Sequence, residues 1–496
     1  MNDTDVVLVR APAARSWGRP PYEPSVPFPE RPGAGGDNEI YGAVRAAWHG
    51  LGLDANHAGR PEWNPLRALV GAGGRVVLKP NLVRHCHGTG GPLEAVVTDP
   101  RILRAVLDYV VDAVAPEGEV IIADSPLQSC QMDRLASAMG LEELCAAAQR
   151  HGVRVRCLDY RREAVIKGAG GLIVQRTPLA GDPDGYVAVD LGAESQLESL
   201  VAMRRRFRVT QYDREITLQH HGEGRHEFLI PRSLLAADLV ISLPKIKTHR
   251  KAGMTGALKN LVGINGSKAW LPHHRAGSVA EGGDEYLHPS LRKRWMTRLW
   301  ERMDRTPSAT ARRLLDRVQD AIRRSGAVVP FPDPYYEGSW WGNRTMPAMV
   351  CDLNRIFVYA DRQGRLQDRP VRRFLVLADA VTAGEGEGPL EPDPRALSRL
   401  IAGVNPVAVD WVAATLMGFA PERIPTLEQA RAAFHRPLID GRMEDLSVRE
   451  IDTELPGERL TIEDLARRVE RPFVAAQGWQ GHIEAREEGP ARGQVA

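Results

Sequence analysis

The stretch ADLVISLPKIKTHRKAGMTGALKNLVGINGSK, residues 237–268, decides the fold. Its first part, LVISL, is a short apolar run that stops at Pro244, which is typical of a strand in a sheet covered on both faces. Lysines, a histidine and an asparagine follow the proline closely. In open α/β folds, ligands bind where strands leave the sheet at their carboxyl ends. The sequence therefore predicts a polar site directly after this strand.

Three further apolar runs end in short polar motifs, namely RVVLKPN (75–81), EVIIADS (119–125) and FLVLAD (374–379). Between the first two, Asp99 and Pro100 open a segment with apolar residues at helical spacing. Strand, helix and strand in about 50 residues form a parallel βαβ unit. The sequence thus predicts an α/β fold with an open, mainly parallel sheet and helices on both faces.

The rest of the chain is predicted to be arranged around one core. Residues 1–64 are expected to form an N-terminal arm, with a possible edge strand at residues 6–9 and a docking helix, and residues 65–440 a single α/β core. Residues 441–496 are expected to be a C-terminal extension whose last residues are disordered, because that end is charged and poor in apolar residues. The core is predicted to carry a β-rich insertion at about 160–230 and a helical, aromatic insertion at about 273–350.

Two local predictions complete the outline of the fold. RIFVYADRQGRL (355–366) is expected to form a hairpin, and the glycine- and glutamate-rich run after Asp379 a loop. Residues 291–324, rich in arginine and tryptophan, are expected to form one or two basic amphipathic helices.

Composition limits the class of protein. The 496 residues carry a net charge of +2, which argues against a general nucleic-acid binder. Five cysteines without C-x-x-C spacing predict no iron–sulfur cluster and fit a reducing compartment. No run approaches the ~18–20 apolar residues of a membrane span. We therefore expect a soluble cytoplasmic protein that contacts a membrane, if at all, only at its surface.

The four strand ends are predicted to converge at one rim of the sheet. Cations, amides and glycines there suit an anionic substrate, phosphate or carboxylate, because ammonium groups and backbone N–H groups bind such anions. The predicted substrate-binding residues are Lys79, Asn81, Lys247, Lys259, Asn260, Gly384 and Gly386. The predicted catalytic residues are Lys245, His249, Asp379 and Asp124. Glu385, Glu387 and Asp410 are predicted to bind Mg²⁺ or another divalent cation, which bridges carboxylates and phosphate.

Structural roles compete with these predictions. Lys79 and Lys245 can instead form ion pairs with Asp124 and Asp379 across the strand ends. Asp99 and Asn405 are more typical of helix caps than of site residues. The histidines at 85, 87, 220, 221, 273 and 274 are more typical of ordinary loop residues than of metal ligands.

The chain resembles the bacterial and archaeal family named domain of unknown function 362. The resemblance rests on VVLKPNLV (76–83), TDPRILRAVLDYV (98–110), EVIIADSP (119–126), DLVISLPKIKTH (238–249), TGALKNLVGING (255–266), VLADAVTAGEGEGP (376–389) and AGVNPVAVDWVAATLMGF (402–419). Many members carry an added ferredoxin-like cluster domain, and this sequence departs from them because its cysteines form no cluster motif. Its longer form, with GSWWGN (338–343), looks like the branch found near surface-polysaccharide and specialised-metabolism genes.

Three hypotheses about function follow. The first is an enzyme that acts, with a divalent cation, on a phosphorylated or nucleotide-linked sugar or a carboxylate. The second is a redox or transition-metal enzyme that uses His85, His87 or His249. The third is a non-catalytic binding or assembly protein whose basic insertion contacts a membrane enzyme or acidic lipids. The sequence leaves the oligomeric state open.

Overall fold

The computed structural model describes residues 2–13, 16–25, 35–60, 62–149, 152–168, 173–209, 212–452 and 457–485. The predicted disordered end therefore lies almost wholly outside the described residues. The strands are β1 Asp5–Arg10, β2 Arg75–Pro80, β3 Glu119–Asp124, β4 Arg154–Asp159, β5 Glu163–Lys167, β6 Ile173–Pro178, β7 Tyr186–Asp190, β8 Phe207–Arg208, β9 His221–Gly222, β10 Arg225–Pro231, β11 Leu239–Leu243, β12 Lys245–His249, β13 Gly253–Thr255, β14 His274–Arg275, β15 Arg373–Glu387, β16 Glu391–Gly403, β17 Ser447–Ile451 and β18 Glu458–Leu460. The helices are α1 Ile40–Gly50, α2 Pro100–Val114, α3 Met132–Met139, α4 Leu141–Gln149, α5 Arg214–His220, α6 Arg232–Leu235, α7 Ala257–Asn260, α8 Leu291–Asp304, α9 Ala309–Arg324, α10 Thr345–Tyr359, α11 Pro406–Leu416, α12 Pro425–Ala430 and α13 Ile462–Arg467.

One large sheet organises the molecule, in the order β18-β17-β1-β16-β15-β11-β2-β3-β4. The five strands from β15 to β4 are parallel, whereas β16 runs antiparallel to both of its neighbours. β11 is buried along its whole length, as expected for a parallel strand covered on both faces. The prediction of a mainly parallel α/β sheet is confirmed.

Helices cover both faces of this sheet. One apolar core packs α1, α2, α3 and α4 against one face, and the other core packs α7, α10, α11, α12 and α13 against the opposite face. The N-cap of α2 is Asp99, whose Oδ1 accepts a hydrogen bond from the Arg101 N–H at 2.9 Å. Asn405 caps α11 in the same way through the Val407 N–H at 2.9 Å. Both capping predictions are confirmed.

The two insertions have different architectures. The first contains the β5–β6 hairpin and the small sheet β7-β10-β9. The second contains α8 and α9, two helices that pack on each other through a small cluster of their own. β1 lies inside the main sheet between β16 and β17. The N-terminal strand is therefore part of the core sheet and not its edge.

Two local predictions are wrong. The glycine- and glutamate-rich run after Asp379 is not a loop, because β15 continues to Glu387 and pairs with β16 over that length. Its glycines permit a close approach, since a Cβ at Gly388 would lie 1.9 Å from the Thr248 carbonyl oxygen. The segment predicted as a hairpin begins inside α10, which is buried along almost its whole length, and within this described segment only Ala360 and Leu366 pair as strands of a hairpin would.

Candidate functional site

The site lies where the strand order of the sheet reverses. From β2 the chain moves one way through β3 and β4, and later returns to the other side of β2 with β11 and β15. The loops after β2 and β11 therefore diverge and leave a crevice at the carboxyl end of the sheet.

A cavity of about 450 Å³ occupies this crevice. Its walls come from the segments after β2 and β3, from the region between β12 and β14, and from both insertions. Six predicted site residues line it together: Asn81, Asp124, Lys247, His249, Lys259 and Asn260. The expected convergence of motifs that are far apart in sequence is thus observed for these residues.

Lysines are concentrated in this cavity. The chain contains 57 arginines but only eight lysines. Five of the eight line the cavity, namely Lys167, Lys247, Lys251, Lys259 and Lys268. Lys79 lies buried near the end of β2, and Lys245 lies buried at the start of β12. Because an ammonium is a compact charge whose pKa responds to burial, whereas a guanidinium keeps its proton, this distribution indicates a site that uses amines.

The cavity is strongly cationic. Arg84 and Arg250 add to the five lysines, while the only carboxylates among the described lining residues are Asp124 and Glu337. Asp124 Oδ1 lies 2.8 Å from Lys79 Nζ, and Glu337 Oε2 lies 3.3 Å from Lys251 Nζ. Lys167, Lys259 and Lys268 have no ion-pair or hydrogen-bond partner at Nζ within the described residues. Uncompensated cations therefore face the space where a ligand would lie.

Burial changes the titration of these amines. Burial, together with the neighbouring charge of Lys251, lowers the pKa of Lys259 to about 8 and that of Lys268 to about 7. Burial, with Lys245 and Lys259 nearby, lowers the pKa of Lys247 well below its ordinary value. The Lys247 ammonium donates a hydrogen bond to the Val96 carbonyl oxygen. The cavity thus holds amines that change charge near neutral pH.

Two histidines line the cavity in opposite tautomers. His249 Nδ1 accepts the Lys251 backbone N–H at 3.0 Å, so the proton of its neutral ring is on Nε2. His273 Nδ1 lies 2.6 Å from the Leu271 carbonyl oxygen and must donate to it, which leaves Nε2 unprotonated. Burial lowers the pKa of both rings well below the ordinary value. One ring therefore offers a donor and the other an acceptor.

A fully bonded network lies beneath the cavity. Lys79 Nζ contacts Asp124, donates to the Pro80 carbonyl oxygen at 2.9 Å and donates to Asn260 Oδ1 at 3.2 Å. Asn260 Nδ2 donates in turn to the Lys79 carbonyl oxygen and to Ser242 Oγ, each at 2.9 Å. Asp124 also accepts from the Leu82 and Ser125 N–H groups. This network joins β2, β3 and β11 at the reversal point.

Lys245 and Asp379 form a second buried pair outside the cavity. Lys245 Nζ lies 2.5 Å from Asp379 Oδ2 and donates to the Thr382 carbonyl oxygen at 3.0 Å. Asp379 also accepts the Asp99 N–H at 2.8 Å, at the start of α2. Burial raises the pKa of Asp379, and the lysine opposes that rise. This geometry matches the alternative in which Lys245 and Asp379 form a structural ion pair. A catalytic role for either residue stays a prediction.

The three predicted metal ligands lie outside the cavity and already have partners. Asp410 accepts the N–H groups of Ala257 and Leu258 at 2.5 and 2.9 Å, at the start of α7. Glu385 contacts Arg395 at 2.9 Å and Arg471 at 2.7 Å.

Glu387 accepts the Gln477 N–H at 2.7 Å. The two glutamates thereby hold the C-terminal segment 471–477 against β15. Within the described residues, no group of three or more His, Cys, Asp or Glu side chains is placed to hold a metal ion.

Gly384 and Gly386 lie in β15, also outside the cavity. A Cβ at Gly384 would lie 2.7 Å from Pro392 Cβ, so its small size serves the packing of β15 on β16. The histidines named in the redox hypothesis are dispersed: His87 contacts the Pro392 carbonyl oxygen at 3.0 Å, and His85 accepts the Gln131 N–H.

Sequence reasoning missed several lining residues, above all Lys268, Lys167, Arg84 and His273. Lys167 is at the end of β5, inside an insertion that carries no strand-end motif of the core. Lysine is scarce in this arginine-rich chain, and this scarcity is the sequence signal by which the cavity lysines could have been found. No sequence pattern points to His273, because its place in the wall of the cavity depends on a turn after α7.

Together these features define an α/β protein with a cation-lined cavity at the reversal point of its sheet. The model of the family described as domain of unknown function (DUF362) matches residues 76–182 and 163–415. The chain belongs to this family. No curated protein matches the sequence.

Among solved structures, the chain is similar to a Thermotoga maritima protein whose crystal structure comes from the Northeast Structural Genomics Consortium. The two are 11% identical, with a TM-score of 0.28. The match covers 73% of this chain and 55% of that chain.

Proposed function

We propose that this protein is an enzyme that binds an anionic small molecule in the lysine-lined cavity. The observation that carries the proposal is the set of lysines without partners at the reversal point of the sheet. Ammonium groups and arginines bind phosphate or carboxylate oxygens by charge-assisted hydrogen bonds. A phosphorylated or nucleotide-linked sugar, or a carboxylate, fits this chemistry. We keep the cytoplasm as the proposed location, and a membrane surface as the proposed contact of the basic helices.

The chemistry proposed for the cavity is proton transfer next to the bound anion. His273 Nε2 has the lone pair of a general base, and His249 Nε2–H is a donor. Lys259 and Lys268 hold the anion while protonated and are proton donors near neutral pH. A divalent cation enters this proposal bound to the phosphate oxygens of the ligand, because the carboxylates first assigned to it are held by other partners.

The first prediction is that anionic ligands stabilise the protein. Thermal unfolding of the full chain would be measured with inorganic pyrophosphate, a nucleoside-diphosphate sugar and a dicarboxylate, each with Mg²⁺ or with EDTA. A ligand at 100 times its dissociation constant adds about 2.7 kcal/mol to the free energy of unfolding. Lys268→Met removes one charge-assisted contact and should weaken binding about tenfold or more.

The control for this experiment is Arg459→Met, which removes an exposed cation from β18, at the far edge of the sheet from β3 and β4. It should leave the ligand-induced rise in Tm unchanged. An equal loss in both variants, or no response of the wild type to any anion, would contradict the proposal. The rise in Tm is then compared between ligands: if it requires Mg²⁺ with pyrophosphate but not with the dicarboxylate, this supports a cation that enters the cavity bound to phosphate.

The second prediction concerns pH. Because the pKa values of Lys268 and Lys259 are lowered to about 7 and 8, these amines are charged below that range and neutral above it. Affinity for an anion should be greatest below about pH 7 and should fall as the pH rises through 8. Bound anion raises the pKa values of both amines, so the fall in affinity begins at the pKa values of the free protein and continues up to the higher pKa values of the complex. Isothermal titration from pH 6 to 9.5 would measure this, and an affinity that rises with pH would exclude these lysines as the binding cations.

A further inference from the structure

The helical pair α8 and α9, with the turn that follows it, concentrates positive charge. Residues 291–329 contain eleven arginines and lysines against four aspartates and glutamates, a net charge of +7 in a chain whose total is +2. Part of this charge is compensated by acids outside the segment: Lys293 pairs with Asp333, Arg294 with Glu281 and Arg305 with Glu215. The positive excess of the surface therefore rests on the remaining arginines.

Helix α9 exposes apolar residues and buries polar ones at positions where an ordinary surface helix does the reverse. Its polar residues Asp316 and Gln319 are buried, and the helix packs beside β6. Leu314 is 62% exposed and Val318 is 42% exposed, and these two lie one turn apart on the outer face. A water-facing helix normally places apolar residues inward. The outer face of α9 is thus built for surroundings other than water alone.

Arginines flank this apolar stripe. Arg313, Arg317 and Arg324 recur at intervals of four and seven residues and form an exposed row along one side of it. On the other side, Leu315 and Ile322 pack into the small cluster between α8 and α9. The stripe therefore lies between a packed helix contact and a row of guanidinium groups.

Helix α8 repeats the arrangement. Leu291 and Trp295 are 71% and 58% exposed and share an outer face with Arg298 and Arg302. Arg292 donates to Ser325 Oγ and to the Pro330 carbonyl oxygen, which places the start of α8 beside the turn after α9. In that turn, Val328 and Val329 are 85% and 60% exposed. Exposed apolar residues of α8 and of the turn after α9 thus lie at the same end of the helical pair.

We propose that this surface, formed by α8, α9 and residues 325–329, docks on a lipid bilayer with anionic headgroups. Apolar and tryptophan side chains flanked by arginines are the features by which amphipathic helices lie in the boundary between headgroups and acyl chains. The apolar stripes are narrow and bordered by guanidinium groups, so they form no broad apolar centre of the kind that protein interfaces pack together. A bilayer accommodates both groups, because the apolar side chains enter the acyl boundary while the arginines stay with the anionic headgroups.

The test is co-sedimentation of the full chain with vesicles of phosphatidylcholine alone and with vesicles containing 30% phosphatidylglycerol. Wild type should sediment with the anionic vesicles and be released by high salt. The triple variant Arg313→Glu/Arg317→Glu/Arg324→Glu should bind at least about tenfold more weakly, since each basic residue near such a surface contributes about 1 kcal/mol. Trp295→Ser/Val318→Ser should also weaken binding without any change in charge.

The matched control is Arg442→Glu/Arg459→Glu/Arg467→Glu, which makes the same change in net charge on exposed residues outside α8 and α9. It should bind like the wild type. Equal losses in the two triple variants, or no sedimentation of the wild type, would overturn the proposal. A different result would point to an acidic protein partner in place of the bilayer: the chain binds immobilised polyglutamate but no vesicles, and Trp295→Ser/Val318→Ser leaves the polyglutamate binding unchanged.

Discussion

Replacement of Asp379 by alanine should lower the free energy of unfolding by about 3–5 kcal/mol, because it leaves the Lys245 ammonium buried without its counter-charge. Both side chains are almost completely buried, and Asp379 also receives the N–H that opens α2. Chemical denaturation of the wild type and the variant would measure the difference.

A double variant identifies the cause of that loss. Lys245→Met/Asp379→Leu removes both charges, so it should be clearly less destabilised than the sum of the single variants, by roughly 2 kcal/mol. As a control, Glu444→Ala removes one partner of an exposed pair with Arg442 and should cause no measurable loss. A cooperative Asp379→Ala variant with unchanged stability that no longer binds anions would instead assign this carboxylate to the chemistry of the site.

The second large effect is expected at Gly263. A Cβ there would lie 1.9 Å from Asp124 Oδ1 and 2.8 Å from Lys79 Nζ. Asp124 cannot move aside, since backbone N–H groups also hold it. Gly263→Ala should therefore cost about 3 kcal/mol or more in the free energy of unfolding, through overpacking and a broken buried pair. Because Gly263 lines the cavity, anion binding should be lost as well.

Gly42→Ala is the matched control for this substitution. Gly42 lies within α1, and a Cβ there would meet no atom within 4 Å. Alanine should raise stability by about 0.5–1 kcal/mol, because glycine is unfavourable inside a helix. Equal effects of the two substitutions would contradict the close approach at Gly263. Both would be measured by denaturation, and Gly263→Ala also by ligand-induced shifts in Tm.

The sheet was predictable from the sequence because its parallel strands are apolar along their length and end in turn signals. Only the first half of β15 was predicted. Its second half is held by pairing with β16, and this pairing leaves no pattern in the sequence of β15 itself. α10 was misread because IFVY is a run of β-branched and aromatic residues, which is typical of a strand, and because a helix buried on all sides shows no amphipathic spacing.

The place of the cavity was predictable, but the identity of the side chains that line it was only partly so. Strand-end motifs indicate which residues reach the rim of the sheet. They do not indicate which of two neighbouring lysines turns into the cavity: Lys247 lines it, whereas Lys245, two residues earlier on β12, is paired with Asp379. Carboxylates are equally ambiguous, because Asp410 has the burial of a metal ligand and the contacts of a helix cap.

The position of β1 determines when the sheet can be completed during synthesis. Its antiparallel partner β16 is translated about 390 residues later, with Val6 opposite Gly403. At the usual speed of translation this takes roughly 20–80 s. Throughout that time the valines and leucine of residues 6–9 have no strand beside them, and an unpaired apolar strand is a template for aggregation. The nascent chain should therefore depend on chaperones at residues 6–9, and the yield of folded protein should rise when chaperones are supplied in excess.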